Sequence, residues 1–74
     1  MWLSALVAAR LRQLRLEQKL SQEVFAKRCG ISVSYVSMLE RGLRVPSLDT
    51  LEALSRGLGV PPLRLLGGGD RKRR

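Results

Sequence analysis

The stretch over residues 21–42, SQEVFAKRCGISVSYVSMLERG, constrains this chain more than any other. It reads as two short helices joined by a tight turn. Ser21 offers a side-chain oxygen to the free N–H groups of a helix start, and Val24, Phe25 and Ala26 follow within one turn. Gly30 falls where the first helix must stop and the chain must reverse. A left-handed backbone is needed there, and glycine adopts it without steric cost. Ile31 then packs, Ser32 caps the second helix, and Val36 and Leu39 lie three apart on one face.

The flanking sequence adds helices on both sides. Residues 4–18 carry a buried stripe of Val7, Leu11 and Leu14 with Leu6 at its edge, while Arg10, Arg12 and Arg15 add positive charge. Before them, MWLSALVAAR has an apolar run from Leu3 to Ala9, broken only by Ser4. It lacks a basic leading segment and is too short to span a bilayer. It is expected to extend the first helix. After the central pair, Gly42 ends the second helix, and Pro46 pushes its predecessor into an extended shape. Ser47 caps a fourth helix with Asp49 in its first turn, where a carboxylate suits the positive helix end. Leu48, Leu51, Leu54 and Leu58 recur along it, and Gly57 and Gly59 are expected to close it. Pro61 or Pro62 opens a short fifth helix with Leu63, Leu65 and Leu66 as its apolar residues. The expected fold is therefore all-α with five helices, in one domain over residues 1–66. A flexible Gly-rich basic tail follows over residues 67–74.

Charge narrows the function. The 74 residues carry 14 Lys and Arg against 6 Asp and Glu, a net +8. The last five residues supply +3 of this, so the body keeps +5 and its basic character is not confined to the tail. A basic domain of this size suits a polyanion, DNA foremost. The single cysteine, Cys29, excludes an internal disulfide, and its apolar position reads as core. With no histidine and no second cysteine, no metal site or cofactor is expected. No residue set resembles an active site, so the chain is not read as an enzyme. A cytoplasmic location is expected. A core this small supplies only about 3–5 kcal/mol, so dimerisation would add stability.

The spacing of the central segment resembles the helix-turn-helix of the phage-repressor and Cro type, often called the xenobiotic-response-element family. Gln22 takes the first motif position. Phe25 and Ala26 take the apolar fourth and small fifth, Cys29, Gly30 and Ile31 the eighth to tenth, and Val36 and Leu39 the fifteenth and eighteenth. The motif covers about residues 22–41. Leu11-Arg12-x-Leu14-Arg15 before it and Glu40-Arg41-Gly42-x-Arg44-x-Pro46-Ser47-Leu48 after it extend the resemblance to roughly residues 10–66. Lys19 stands where the family often has glycine.

This resemblance implies a lambda-repressor-like domain whose third helix enters the major groove of double-stranded DNA. It assigns Val33, Ser34, Ser37 and Met38 to the bases. Gln22, Arg41 and Arg44 match phosphate-facing positions, with Arg12 and Tyr35 as neighbours on the backbone. Arg15 and Glu40 match an internal ion pair joining the first helix to the third. Leu58, Val60, Leu63 and Leu66 exceed the needs of the core and are expected to form a homodimer interface. The profile is similar to small restriction–modification controller proteins and Cro-like repressors. These are transcription regulators controlled by concentration, dimerisation and operator arrangement. A reading of another class stays open, a protein-interaction module of the same fold such as an antitoxin or anti-repressor partner. The apolar start and the apolar Val33 and Met38 keep that protein partner in view.

Overall fold

The computed structural model describes residues 2–67. Four α-helices run in order as α1 (Trp2–Glu17), α2 (Gln22–Cys29), α3 (Val33–Glu40) and α4 (Leu48–Leu58), followed by a 3₁₀ segment, Pro62–Leu66. The described residues contain no strand, and none of their helices is long and apolar enough to cross a membrane. The all-α expectation holds, with one change: the fifth helix is 3₁₀, not α. Pro61 is extended, Pro62 lies at the start, and Gly67 turns left-handed five residues on, which leaves room for little more than one tight turn. Of the expected tail, only Gly67 is described; residues 68–74 lie outside the described part.

The helices begin and end by shared devices. Ser21, Ser32 and Ser47 each accept an N–H three residues on, from Val24 at 3.0 Å, Tyr35 at 3.0 Å and Thr50 at 3.1 Å. Each such cap contributes about 1 kcal/mol. All four α-helices end on a residue with positive φ, followed by an N–H that reaches back five residues. The pairs are Leu20 to Arg15, Ile31 to Ala26, Leu43 to Met38 and Val60 to Ser55. Three of the left-handed residues are Gly30, Gly42 and Gly59, and the fourth is Lys19 at φ 59°. Lysine thus takes the conformation that glycine would take, at a cost of about 1–2 kcal/mol. In three of the four, this closure throws the next apolar residue back onto the core, as Leu20, Ile31 and Val60 show, whereas Leu43 stays 61% exposed.

That core is built around Phe25, Leu11, Val36, Leu54 and Leu65, all fully buried, with Leu14, Ala26, Leu39 and Leu58 beside them. α1 packs on α3, α4 and the 3₁₀ segment, while α2 packs on α3 and α4. Polar side chains of α1 and its end secure the far elements. Gln18 Nε2 donates to the Leu58 carbonyl at 2.6 Å and Arg10 Nε to the Arg64 carbonyl at 3.1 Å. α1 starts at Trp2, so the apolar start continues the first helix.

Two further expectations need correction. Gly57 does not close α4 but lies inside it. A Cβ there would stand 2.5 Å from Cys29 Sγ and 3.3 Å from Phe25 Cε1, so the missing side chain lets α4 approach α2. Cys29 fills that approach as a packing residue, and burial pushes its thiol up to about 11, so it is neutral at pH 7. Leu58 and Val60 are not spare apolar residues. Leu58 is 4% exposed within the core, and Val60, half-buried, packs against the core at the α4 closure.

The ion pair between α1 and α3 is present. Arg15 Nε and Nη2 donate to Glu40 Oε2 and Oε1 at 2.6 and 3.0 Å, with side chains only 8% and 3% exposed.

Two stability outcomes follow from this packing. Gly57→Ala should cost about 1–3 kcal/mol by overpacking. Adding Cys29→Ala should recover part of it, visible as a non-additive double-mutant cycle in urea unfolding. Strict additivity would mean the sulfur is not what the new methyl meets. Glu40→Ala should cost about 3–5 kcal/mol, because it leaves the buried Arg15 without its counter-charge. A thermal transition matching the parent would contradict that.

Candidate nucleic-acid interface

α3 is the element on which the candidate surface turns. Its inner face is anchored by Val36 and Leu39, both in the core, and by Glu40 at its last turn. Its outer face starts with Val33 and Ser34, both exposed, and continues with Ser37 and Met38, both half-buried. The four residues assigned to base contact therefore share the helix but not the same exposure. Val33 and Ser34 stand furthest out, at the N-terminal end.

The residues expected to face phosphate fall into two groups. One gathers around Glu40. Gln22 Nε2 donates to Glu40 Oε1 at 3.1 Å. Two adjoining hollows on the outside of α1 share Ala8, Ala9 and Glu40, one reaching Arg12 and the other Arg41. Gln22, Arg12 and Arg41 thus lie on one side of the molecule. The Glu40 carboxylate beneath them is matched by the two-pronged Arg15 guanidinium, so it does not consume the charge of exposed Arg12 and Arg41. The resemblance gives Gln22 a phosphate-facing place, and nothing in the sequence signals its bond to Glu40. One Nε2 proton is used there, and the amide keeps a second. Arg15 Nη1 also donates to the Leu20 carbonyl at 2.7 Å, which ties the same pair to the turn before α2.

The other group lies where α3 meets the start of α4. Tyr35 is half-buried, and its hydroxyl stands 3.5 Å from Thr50 Oγ1. Ser47 Oγ donates to the same Thr50 Oγ1 at 3.0 Å while accepting the Thr50 N–H. Thr50 drew no attention in the sequence. The signal was the Ser-x-x-Thr spacing of residues 47–50, in which a cap oxygen and a hydroxyl three residues on can pair. Arg44 is exposed in the loop between α3 and α4.

On the remaining surface, Leu63 is 56% exposed and Leu66 37%, unlike Leu58 and Val60. Leu66 lines an apolar hollow of about 240 Å³ with Leu3, Val7, Val45, Pro46 and Leu51. Among the described residues no group of three or more His, Cys, Asp or Glu could hold a metal ion.

Known proteins share this architecture. The HTH_3 helix-turn-helix family pattern matches residues 11–65. The control protein C.BamHI of Bacillus amyloliquefaciens is 44% identical over 62 residues, covering 82% of this chain and 76% of that protein. The immunity repressor of Bacillus phage phi105 is 38% identical over 61 residues, 82% of this chain and 42% of the repressor. Among solved structures, the restriction–modification controller protein C.AhdI of Aeromonas hydrophila superposes with a TM-score of 0.82 at 39% identity, covering 84% of this chain and 94% of that one. From the buried stripe of α1 to the 3₁₀ segment, this chain belongs to the HTH_3 helix-turn-helix family.

Proposed function

We infer that the chain is a sequence-specific DNA-binding transcription regulator, working as a symmetric dimer on a palindromic site. One observation carries this reading: α3 is locked by Glu40, Val36 and Leu39 while Val33 and Ser34 stay exposed at its N-terminal end. A helix held in that way can be presented to a major groove as a rigid reader. The names of its relatives, a control protein, a phage repressor and a controller protein, support the same class.

In this reading Arg12, Arg41 and Arg44 meet phosphates with their charges, Gln22 with its second amide proton, and Tyr35 with its hydroxyl. Val33, Ser34, Ser37 and Met38 face bases. None of these four offers the two-pronged bond that Arg gives guanine or Gln gives adenine, each worth about 1–3 kcal/mol of discrimination. Specificity then leans on thymine methyls against Val33 and Met38 and on DNA shape between half-sites. The dimer face is Leu63 and Leu66, joined by Leu3 and Val45 around the apolar hollow. Two-fold pairing there sets half-sites one turn apart, about 34–36 Å.

Site selection from random DNA, followed by variants, tests the reading. Arg44→Ala should weaken binding to all sequences alike and lower the slope of log K against log salt by about 0.9 for each phosphate no longer neutralised. Met38→Gln should change the preferred base with little effect on non-specific binding. If Met38→Gln and Val33→Gln both leave the selected site unchanged, α3 is not the reader. A protein-holding role for the exposed apolar Trp2, Leu43 and Val45 then becomes the better account.

Assembly has its own check. Leu63→Asp should give monomers in sedimentation and much weaker binding to a two-half-site duplex. A parent that sediments as a monomer at high concentration, on and off DNA, argues against the dimer.

A further inference from the structure

We propose that Thr50, together with Ser47, is a positioning residue that turns the Tyr35 hydroxyl into a hydrogen-bond donor toward a DNA backbone phosphate. The proposal rests on the reading of Tyr35 as a phosphate-facing residue. The three hydroxyls form a series that starts on the backbone of α4. Ser47 Oγ accepts the Thr50 N–H at 3.1 Å and donates its own proton to Thr50 Oγ1 at 3.0 Å. Thr50 Oγ1 lies 3.5 Å from Tyr35 Oη, a long contact between two hydroxyls in which either can be the donor.

Each hydroxyl has one proton, so the order of donation decides what Tyr35 offers outward. If Tyr35 donates to Thr50, its oxygen presents only lone pairs, and a phosphate oxygen is repelled. If Thr50 donates to Tyr35, the phenolic proton is free, and phosphate, which only accepts, takes it. The rest of the series favours the second order. The Thr50 oxygen has two lone pairs and could take both the Ser47 and the Tyr35 protons, but that order sets the two donors against one another and leaves the Thr50 proton without this partner. With every donor aligned toward Tyr35, the bonds polarise one another in the same sense, beginning at the positive end of α4. A phenol so polarised is a stronger donor to an anion than an isolated one. Sequence patterns tied to base readout pass over Thr50 because it acts through another residue.

Binding of the parent and its variants to a duplex carrying the site the parent selects from random DNA tests this. Thr50→Val keeps the shape and removes the hydroxyl. It should weaken binding about fivefold, in line with the removal of one hydrogen bond. The salt slope should not change, because no charge is removed. Thr50→Ser should restore affinity to within about twofold. In the Tyr35→Phe background, Thr50→Val should have no further effect, which a merely structural role for Thr50 would not produce. If Thr50→Val does not fold, Thr50→Ala removes the same hydroxyl with less bulk. An equal weakening in both backgrounds, or parental affinity for the variant lacking the Thr50 hydroxyl, overturns the relay while leaving the Tyr35 contact standing. Parental affinity for Tyr35→Phe overturns the contact itself, and the relay with it.

Discussion

One guanidinium holds three parts of this molecule in register. Arg15 gives two donors to Glu40 on α3 and a third to the Leu20 carbonyl, the last residue before the Ser21 cap. Gln22, the first residue of α2, adds its amide to the same carboxylate. The entry into α2 and the exit of α3 are therefore fixed to one point on α1. Burying two charges is expensive, and their attraction repays it only when the remaining donors and acceptors are satisfied. Here the Leu20 carbonyl and the Gln22 amide supply that satisfaction. The contribution of such a pair is orientation: apolar contacts at Val36 and Leu39 would tolerate a small rotation of α3, whereas a bidentate ion pair would not.

Around that point the chain economises on polar groups. Serine oxygens serve the starts of α2, α3 and α4, and the back-reaching N–H bonds serve the ends of all four helices. Gln18 takes the carbonyl of Leu58 at the end of α4, and Arg10 that of Arg64 in the middle of the 3₁₀ segment. Helices of eight residues are marginal by themselves, so capping and tertiary burial must act together. At Lys19 the same geometry is reached without glycine.

The features legible in the sequence were those set by local chemistry. Serine before an apolar run gave the starts of α2, α3 and α4, and Gly30 gave the turn. The Arg15–Glu40 pair came from resemblance, because nothing in the spacing of residues 25 apart says that they meet. Features set by the approach of distant segments were not legible. Gly57 looks like a helix breaker until Cys29 is placed opposite it. Leu58 and Val60 look surplus until the 3₁₀ segment and the α4 closure are in place. Thr50 acquires meaning only when Tyr35 comes beside it. The candidate surface was read residue type by residue type, but its grouping around Glu40 on one side and Thr50 on the other belongs to the fold.

The two faces of α3 differ in what a substitution disturbs. Val36, Leu39 and Glu40 cannot change without disturbing the core or the ion pair, whereas Val33 and Ser34 are exposed and lie outside the core cluster. Changes at such positions usually alter stability by no more than about 0.5 kcal/mol. Mutational drift at these two sites is therefore nearly invisible to folding. A lineage carrying this scaffold can exchange the outward residues of its eight-residue helix repeatedly, and diverge in what it contacts, without first acquiring compensating changes elsewhere.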